Sequence, residues 1–164
     1  MNSVVHTQFS DMVKEEFIVA DLAANSRDEA LEHLAEILVT RGACAPTFPR
    51  AIIDRERMHP SALPMRGHKI AIPHTDAEHV YESTILFARL KRPVLFRAMG
   101  SVSDELPVRL ISMFALREQD QIGDLLETLI TVFQDEKLLG RILRAPSPRR
   151  IYTLLHEAIR ERDR

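Results

Sequence analysis

The chain has 164 residues, 45% of them hydrophobic, enough for one well-buried core but short for two domains, so a single domain spanning 1–164 is expected. Lys plus Arg number 22 against 24 Asp plus Glu, a formal net charge of -2, so no overall positive field draws nucleic acid or anionic lipid. One cysteine excludes an internal disulfide, and no apolar run approaches the ~18 residues that span a bilayer, so without a signal peptide a cytoplasmic protein is expected.

In chain order, the segment 1–16 is mixed in pattern and reads as a fraying terminus, followed by a short β-branched strand, Phe17 to Asp21. Ser26 and Glu29 have the form of a capping box. Ala30, Leu31, Leu34, Ala35, Ile37 and Leu38 then recur at helical spacing until Gly42. Cys44 follows, between two alanines and with no base or cation beside it to activate the thiol. A second helix is predicted from an N-cap at Thr47, with Pro49 in its first turn, to about Met58. Ala51, Ile52 and Met58 line its buried side, and Pro60 and Pro64 forbid continuation.

Lys69 to Pro73 reads as a short interior strand that Pro73 terminates, leaving His74 at its end. Ser83–Leu90 and Leu106–Leu116 are strong strands for the centre of a sheet, and an edge strand is expected around Val94 to Phe96. From Asp120 the period turns helical, with Ile122, Leu125, Leu126, Leu129, Ile130 and Phe133 on one face. A shorter helix follows, and then a last one opened by Ser147 and Pro148 that carries Ile151, Leu154, Leu155 and Ala158. His156 lies in that last helix without a visible partner and reads as a solvated or packing histidine. The order of elements predicts an α/β sandwich, a mixed β-sheet flanked by helices on both faces, with its core over about 17–159.

Residues 55–80 hold four of the seven histidines (His59, His68, His74, His79) together with Arg55, Arg57 and Arg66. Three chemistries compete for them. Metal binding is disfavoured, because intervals of nine, six and five residues match no zinc-site spacing and three arginines oppose a dication; no metal and no organic cofactor are expected. Hydrolysis through Ser61 lacks the G-x-S-x-G elbow, although a triad assembled from distant residues stays open. The third reading makes His74 a phosphoryl acceptor: neutral imidazole is a nucleophile near pH 7, and arginine is the fitting neighbour for the anion that results. By the residues alone, a structural role for His74 outweighs this one.

Arg55-Glu56, the turn Pro60-Ser61-Ala62 and Ile70-Ala71-Ile72-Pro73-His74 together resemble the signature of enzyme IIA domains of the fructose/mannitol class, in the bacterial phosphoenolpyruvate-dependent sugar phosphotransferase system. The likeness is strongest to the galactitol-specific branch, where the turn reads Pro-Thr-Gly and a second histidine follows the acceptor by five residues, as His79 does here. Gln121 stands where mannitol- and nitrogen-type members commonly carry a second active-site histidine, a departure that disfavours those assignments.

The resemblance implies that His74 accepts phosphate on Nε2 from the histidine-containing phosphocarrier protein and passes it to a cysteine of enzyme IIB, which serves the IIC transporter. It implies Arg55 as phosphate clamp, Ser61 as hydroxyl donor, Gln121 at the pocket rim and His79 as an assisting residue. Simpler readings stand beside two of these roles: Arg55 as a charge on the helix dipole, and His79 as an exposed turn residue. Arg57, Arg66, Asp76 and Glu78 are assigned no role. The alternative function is a nitrogen-type regulatory module whose His74 phosphorylation state controls partner proteins.

Overall fold

A computed structural model describes residues 8–163. A 3-10 turn, Phe9–Met12, leads into β1 (Val13–Leu22), so the strand expected over 17–21 begins four residues earlier. Ser10, Met12 and Val13 are buried and Asp163 accepts hydrogen bonds from the backbone of Phe9 and Ser10, so this stretch is held down where fraying was expected. Residues 1–7 lie outside the described part. The helices α1 (Arg27–Thr40) and α2 (Phe48–Met58) follow. The Ser26 hydroxyl caps α1 by accepting from the Glu29 N–H, as its spacing predicts.

The sheet is completed by β2 (Ile70–Ala71), β3 (Thr84–Arg97) and β4 (Glu105–Ala115), in the order β1-β3-β4-β2. β3 and β4 are central, as expected. Val94–Phe96 is no separate edge strand. It continues β3 past a bulge at Leu90–Pro93, so that Val94 pairs with Val108 of β4; the bulge accommodates Pro93, which has no N–H to give the ladder. β2 is last in the order and not interior, but the segment Ser61–Leu63 covers its outer side: Leu63 N donates to Ile70 O at 2.9 Å and Ile72 N to Ser61 O at 3.1 Å. Its backbone is therefore held on both sides.

Period-two alternation sends Ile85, Phe87, Leu110 and Phe114 to one face, where α3 (Ile122–Phe133), α4 (Glu136–Arg144) and α5 (Pro148–Arg162) pack. Leu86, Ala88, Ile111 and Met113 point to the other face, against α1 and α2. This is the predicted sandwich. The buried stripe of α2 is Phe48, Pro49, Ile52 and Glu56. Met58, expected inside, is 75% exposed because it lies half a turn from that stripe. In α5, His156 is half-buried and stacks on Tyr152, four residues before it. On β3, Arg89 is buried and its Nη1 donates to the carbonyls of Ile142, Leu143 and Ala145, capping the end of α4, while its guanidinium pairs with Asp21.

β1 and β3 are parallel, β4 runs against β3, and β2 runs with β4. The starts of β1 and β3 thus share one end of the sheet with the finishes of β2 and β4. His74, just past β2, and Gln121, between β4 and α3, both emerge at that end.

Candidate functional site

The strand that carries His74 stops because Pro73 has no N–H to continue the ladder, although its carbonyl still accepts from Phe114 N at 3.2 Å. Ile70, Ala71 and Ile72 are wholly buried, and the first residue to regain solvent is His74. Its ring lies nearly parallel to Phe114, with centroids 4.4 Å apart and planes 15° apart. Nδ1 is 2.9 Å from the carbonyl oxygen of Ile72. A carbonyl only accepts, so Nδ1 carries the proton and the lone pair of the neutral ring is on Nε2. Burial pushes the His74 pKa below the usual 6.5 and the Arg55 charge adds to this, while the Ile72 carbonyl and Asp76 act in the opposite sense. His74 is therefore neutral at pH 7 and nucleophilic at Nε2.

Arg55, in the last turn of α2, places Nη1 3.6 Å from Asp76 Oδ1 and leaves 37% of its side chain open to solvent. A half-exposed guanidinium whose charge reaches the neutral imidazole is a ready counter-charge for an anion formed there. Ser61 is buried, and its hydroxyl has no hydrogen-bond partner among the described residues. Its backbone N–H donates to Glu56 Oε1 at 3.0 Å. Burial pushes the Glu56 carboxyl upward from 4.5. Ser61 opposes that shift through its backbone N–H and through a hydroxyl that lies near the carboxylate but outside hydrogen-bonding geometry.

The other expected site residues are disposed differently. His79 closes a 3-10 turn, Ala77–His79, with Nδ1 2.8 Å from Thr47 Oγ1 and Nε2 3.4 Å from Glu78 Oε1. Nδ1 is thereby engaged, and among the described residues no hydrogen bond joins the ring to His74. Thr47, expected to cap α2 through its hydroxyl, gives that hydroxyl to His79 instead. Gln121 stands at the N-cap position of α3, half-buried, with a buried Oε1 that has no partner among the described residues. Arg57 bonds Asp28 at 2.6 Å and so ties α2 to α1, while Arg66, His59 and His68 face solvent. The four histidines do not converge. Cys44 is buried, which pushes its thiol up to about 12.

Three residues of the site escaped the sequence reading beyond their place in a motif. Glu56 falls four residues after Ile52 and eight after Phe48, so its place on the buried stripe was legible from helical spacing. Asp76 follows His74 by two residues and is assigned no role from the sequence. Phe114 had no local signal, because only the pairing of β2 with β4 brings it under the His74 ring.

Residues 11–158 match the family described as phosphoenolpyruvate-dependent sugar phosphotransferase system, EIIA 2. The galactitol-specific EIIA component of the phosphotransferase system of Escherichia coli K12 is 28% identical over 128 residues, which cover 71% of this chain and 85% of that protein. A nitrogen regulatory protein of Bradyrhizobium diazoefficiens is 27% identical over 149 residues, covering 89% of this chain and 93% of that one. Among solved structures, the complex of enzyme IIAMTL with phosphorylated enzyme IIBMTL from Escherichia coli aligns with a TM-score of 0.71 and 26% identity, over 87% of this chain and 95% of that one.

Proposed function

Because this chain belongs to the EIIA 2 family of the phosphoenolpyruvate-dependent sugar phosphotransferase system, we propose that it is a phosphoryl carrier whose acceptor atom is Nε2 of His74. The observation that supports this most directly is the tether of Nδ1 to the Ile72 carbonyl, which leaves the Nε2 lone pair free in a ring stacked on Phe114 and within reach of the Arg55 charge. In the forward step, that lone pair attacks phosphorus on the phosphohistidine of the histidine-containing phosphocarrier protein. The donor's N–P bond breaks, its electron pair returns to the donor ring, and the Nδ1 proton of His74 stays in place. In the second step a thiolate of enzyme IIB attacks the same phosphorus and His74 leaves as neutral imidazole.

Little covalent work falls to the protein in such an in-line displacement, so position and charge must supply most of the acceleration. Arg55 serves as the clamp, turning from Asp76 toward the phosphoryl oxygens. The unpartnered Ser61 hydroxyl is a donor whose missing hydrogen bond a phosphoryl oxygen satisfies. Gln121 shares the His74 end of the sheet, and its amide is assigned to the rim. His79, with Nδ1 engaged, is assigned the lesser task of fixing the segment 75–80 to Thr47. One domain is assigned to the whole carrier, and the cytoplasm is its assigned place as a family member. Among the described residues no helix is long and apolar enough to cross a membrane. Its nearest role is taken to be hexitol transport of the galactitol kind, with IIC reached only through IIB.

The test is incubation with phosphoenolpyruvate, enzyme I and the phosphocarrier, followed by mass analysis. The expected result is one acid-labile phosphate on the wild-type chain and none on His74→Ala. A wild-type chain that gains no phosphate ends the proposal. The regulatory reading has the comparable likeness of the Bradyrhizobium protein in its favour. Offering the phosphorylated chain to a galactitol-type IIB separates the two, since a transport component delivers its phosphate to the IIB cysteine and a regulatory module keeps it.

A further inference from the structure

Glu56 is a charged side chain on the apolar stripe of α2, in line with Phe48 and Ile52 and 2% exposed. A carboxyl group taken out of water is disfavoured, and its hydrogen-bond partner among the described residues is a backbone N–H, so an apolar residue would pack there at less cost. The bond it makes is the first of a connected series. Ser61 N donates to Glu56 Oε1 at 3.0 Å, Ile72 N donates to Ser61 O at 3.1 Å, and His74 Nδ1 donates to Ile72 O at 2.9 Å. Ser61 is gripped on both of its backbone groups, and so is Ile72. We propose that Glu56 is a positioning residue for phosphoryl transfer, anchoring a relay through Ser61 and Ile72 that fixes the His74 ring and aims the Ser61 hydroxyl.

The inference rests on His74 being the phosphoryl acceptor, and it adds a residue that touches neither phosphate nor partner. The mechanics are local. Ser61 follows Pro60 in the loop beyond α2, where no helix or strand ladder holds its N–H. Without an acceptor at position 56 that N–H is orphaned in the interior, and the segment Ser61–Leu63 loses its attachment to α2. The same segment forms the outer rung against β2, so the slack passes to Ile72 and to the carbonyl that orients the imidazole.

Two variants test this: Glu56→Ala and Glu56→Gln. In Glu56→Ala the transfer rate at saturating phosphorylated phosphocarrier should fall on the order of tenfold to a hundredfold, the loss expected from a misplaced reacting group, with the half-saturating carrier concentration little changed. Glu56→Gln should recover most of that loss, because the Gln carbonyl accepts from Ser61 N–H and its amide can donate to the unpartnered Ser61 hydroxyl.

A readout independent of transfer is the His74 tautomer, followed by ring-nitrogen NMR. With Nδ1 tethered to the Ile72 carbonyl the proton stays on Nδ1, whereas a loosened ring exchanges it between its two nitrogens. The relay requires a mixed tautomer in Glu56→Ala, together with faster amide exchange at Ile72. A folded Glu56→Ala protein with wild-type transfer, or with an unchanged His74 tautomer and an unchanged Ile72 amide, overturns the inference. Should that variant fail to fold, slow amide exchange at Ser61 in the wild type supports the relay and unprotected exchange there overturns it. A wild-type chain that takes no phosphate sinks the carrier reading, and the tautomer and exchange results still decide the relay.

Discussion

Replacing Arg55 with alanine removes the one guanidinium, among the described residues, whose charge is felt at the His74 ring. A charge-assisted contact to a phosphoryl oxygen is worth ~1.5–3 kcal/mol. Two observations place Arg55 in the lower half of that range: 37% of its side chain is open to solvent, which screens it, and Asp76 at 3.6 Å already occupies part of its charge. About 1.5–2 kcal/mol, at 1.36 kcal/mol per decade, corresponds to a roughly 10- to 30-fold slower transfer. Rapid-quench measurement of phosphate passing from the phosphorylated phosphocarrier gives the rate directly, and the thermal midpoint should stay near wild type because the residue is half-exposed.

Asp76→Asn supplies the internal control. It releases the guanidinium from its partner and removes a negative charge from the path of the phosphoryl group, so transfer should quicken, and Arg55→Ala should cost more in that background than alone. Arg55→Lys should recover the Coulombic part but not the two-pronged contact. Wild-type transfer by a folded Arg55→Ala protein refutes the clamp. Equal Arg55→Ala losses with and without Asp76 refute the coupling argument.

The His74 pKa, lowered mainly by burial, predicts a transfer rate flat across neutral pH that falls only below about 6.5 as the ring takes a proton; a midpoint above 6.5 contradicts it. The same shift has a stability sign: the folded state prefers the neutral ring, so that contribution is complete above 6.5 and is lost as pH falls through the lower folded value. Denaturant titrations of wild type and His74→Ala should accordingly converge as pH falls through that window. Cys44, pushed up to about 12, should resist a thiol-specific disulfide reagent in the folded protein and react at once in denaturant. Fast labelling of the native chain contradicts that. Arg89→Met should lower stability by about 1.5–3 kcal/mol in chemical denaturation, since the carbonyls of Ile142, Leu143 and Ala145 lose a charged donor; a change under ~0.5 kcal/mol refutes the capping role.

What local pattern controls was legible without coordinates. The cap at Ser26, the proline start of α5 and the two central strands follow from short-range rules, and so did the two-faced architecture, because β3 and β4 alternate between the two cores. The misplacements came from long-range competition. Val94–Phe96 was assigned an edge because Pro93 cannot serve a ladder, whereas a bulge sets the proline aside and lets the hairpin continue. Thr47 was assigned a cap, and a histidine distant in sequence took its hydroxyl. Met58 was placed inside by its hydrophobicity and Glu56 was not, although helical geometry puts the carboxylate on the buried stripe and the thioether outside it. Within the site, Ile70–His74 marked itself through a proline at a strand end, while Phe114 depended on the register of two strands some forty residues apart.

On the proposed carrier reading, the tether between Nδ1 and the Ile72 carbonyl bears on how a donor and an acceptor tell loaded from empty chain. Since the ring is held at one nitrogen and stacked on Phe114, gaining a group on the opposite nitrogen calls for no swing of the imidazole and no reshaping of the chain behind it. The two forms then share a silhouette and differ in electrical potential, so partner preference should fade with rising ionic strength while the docked geometry stays the same.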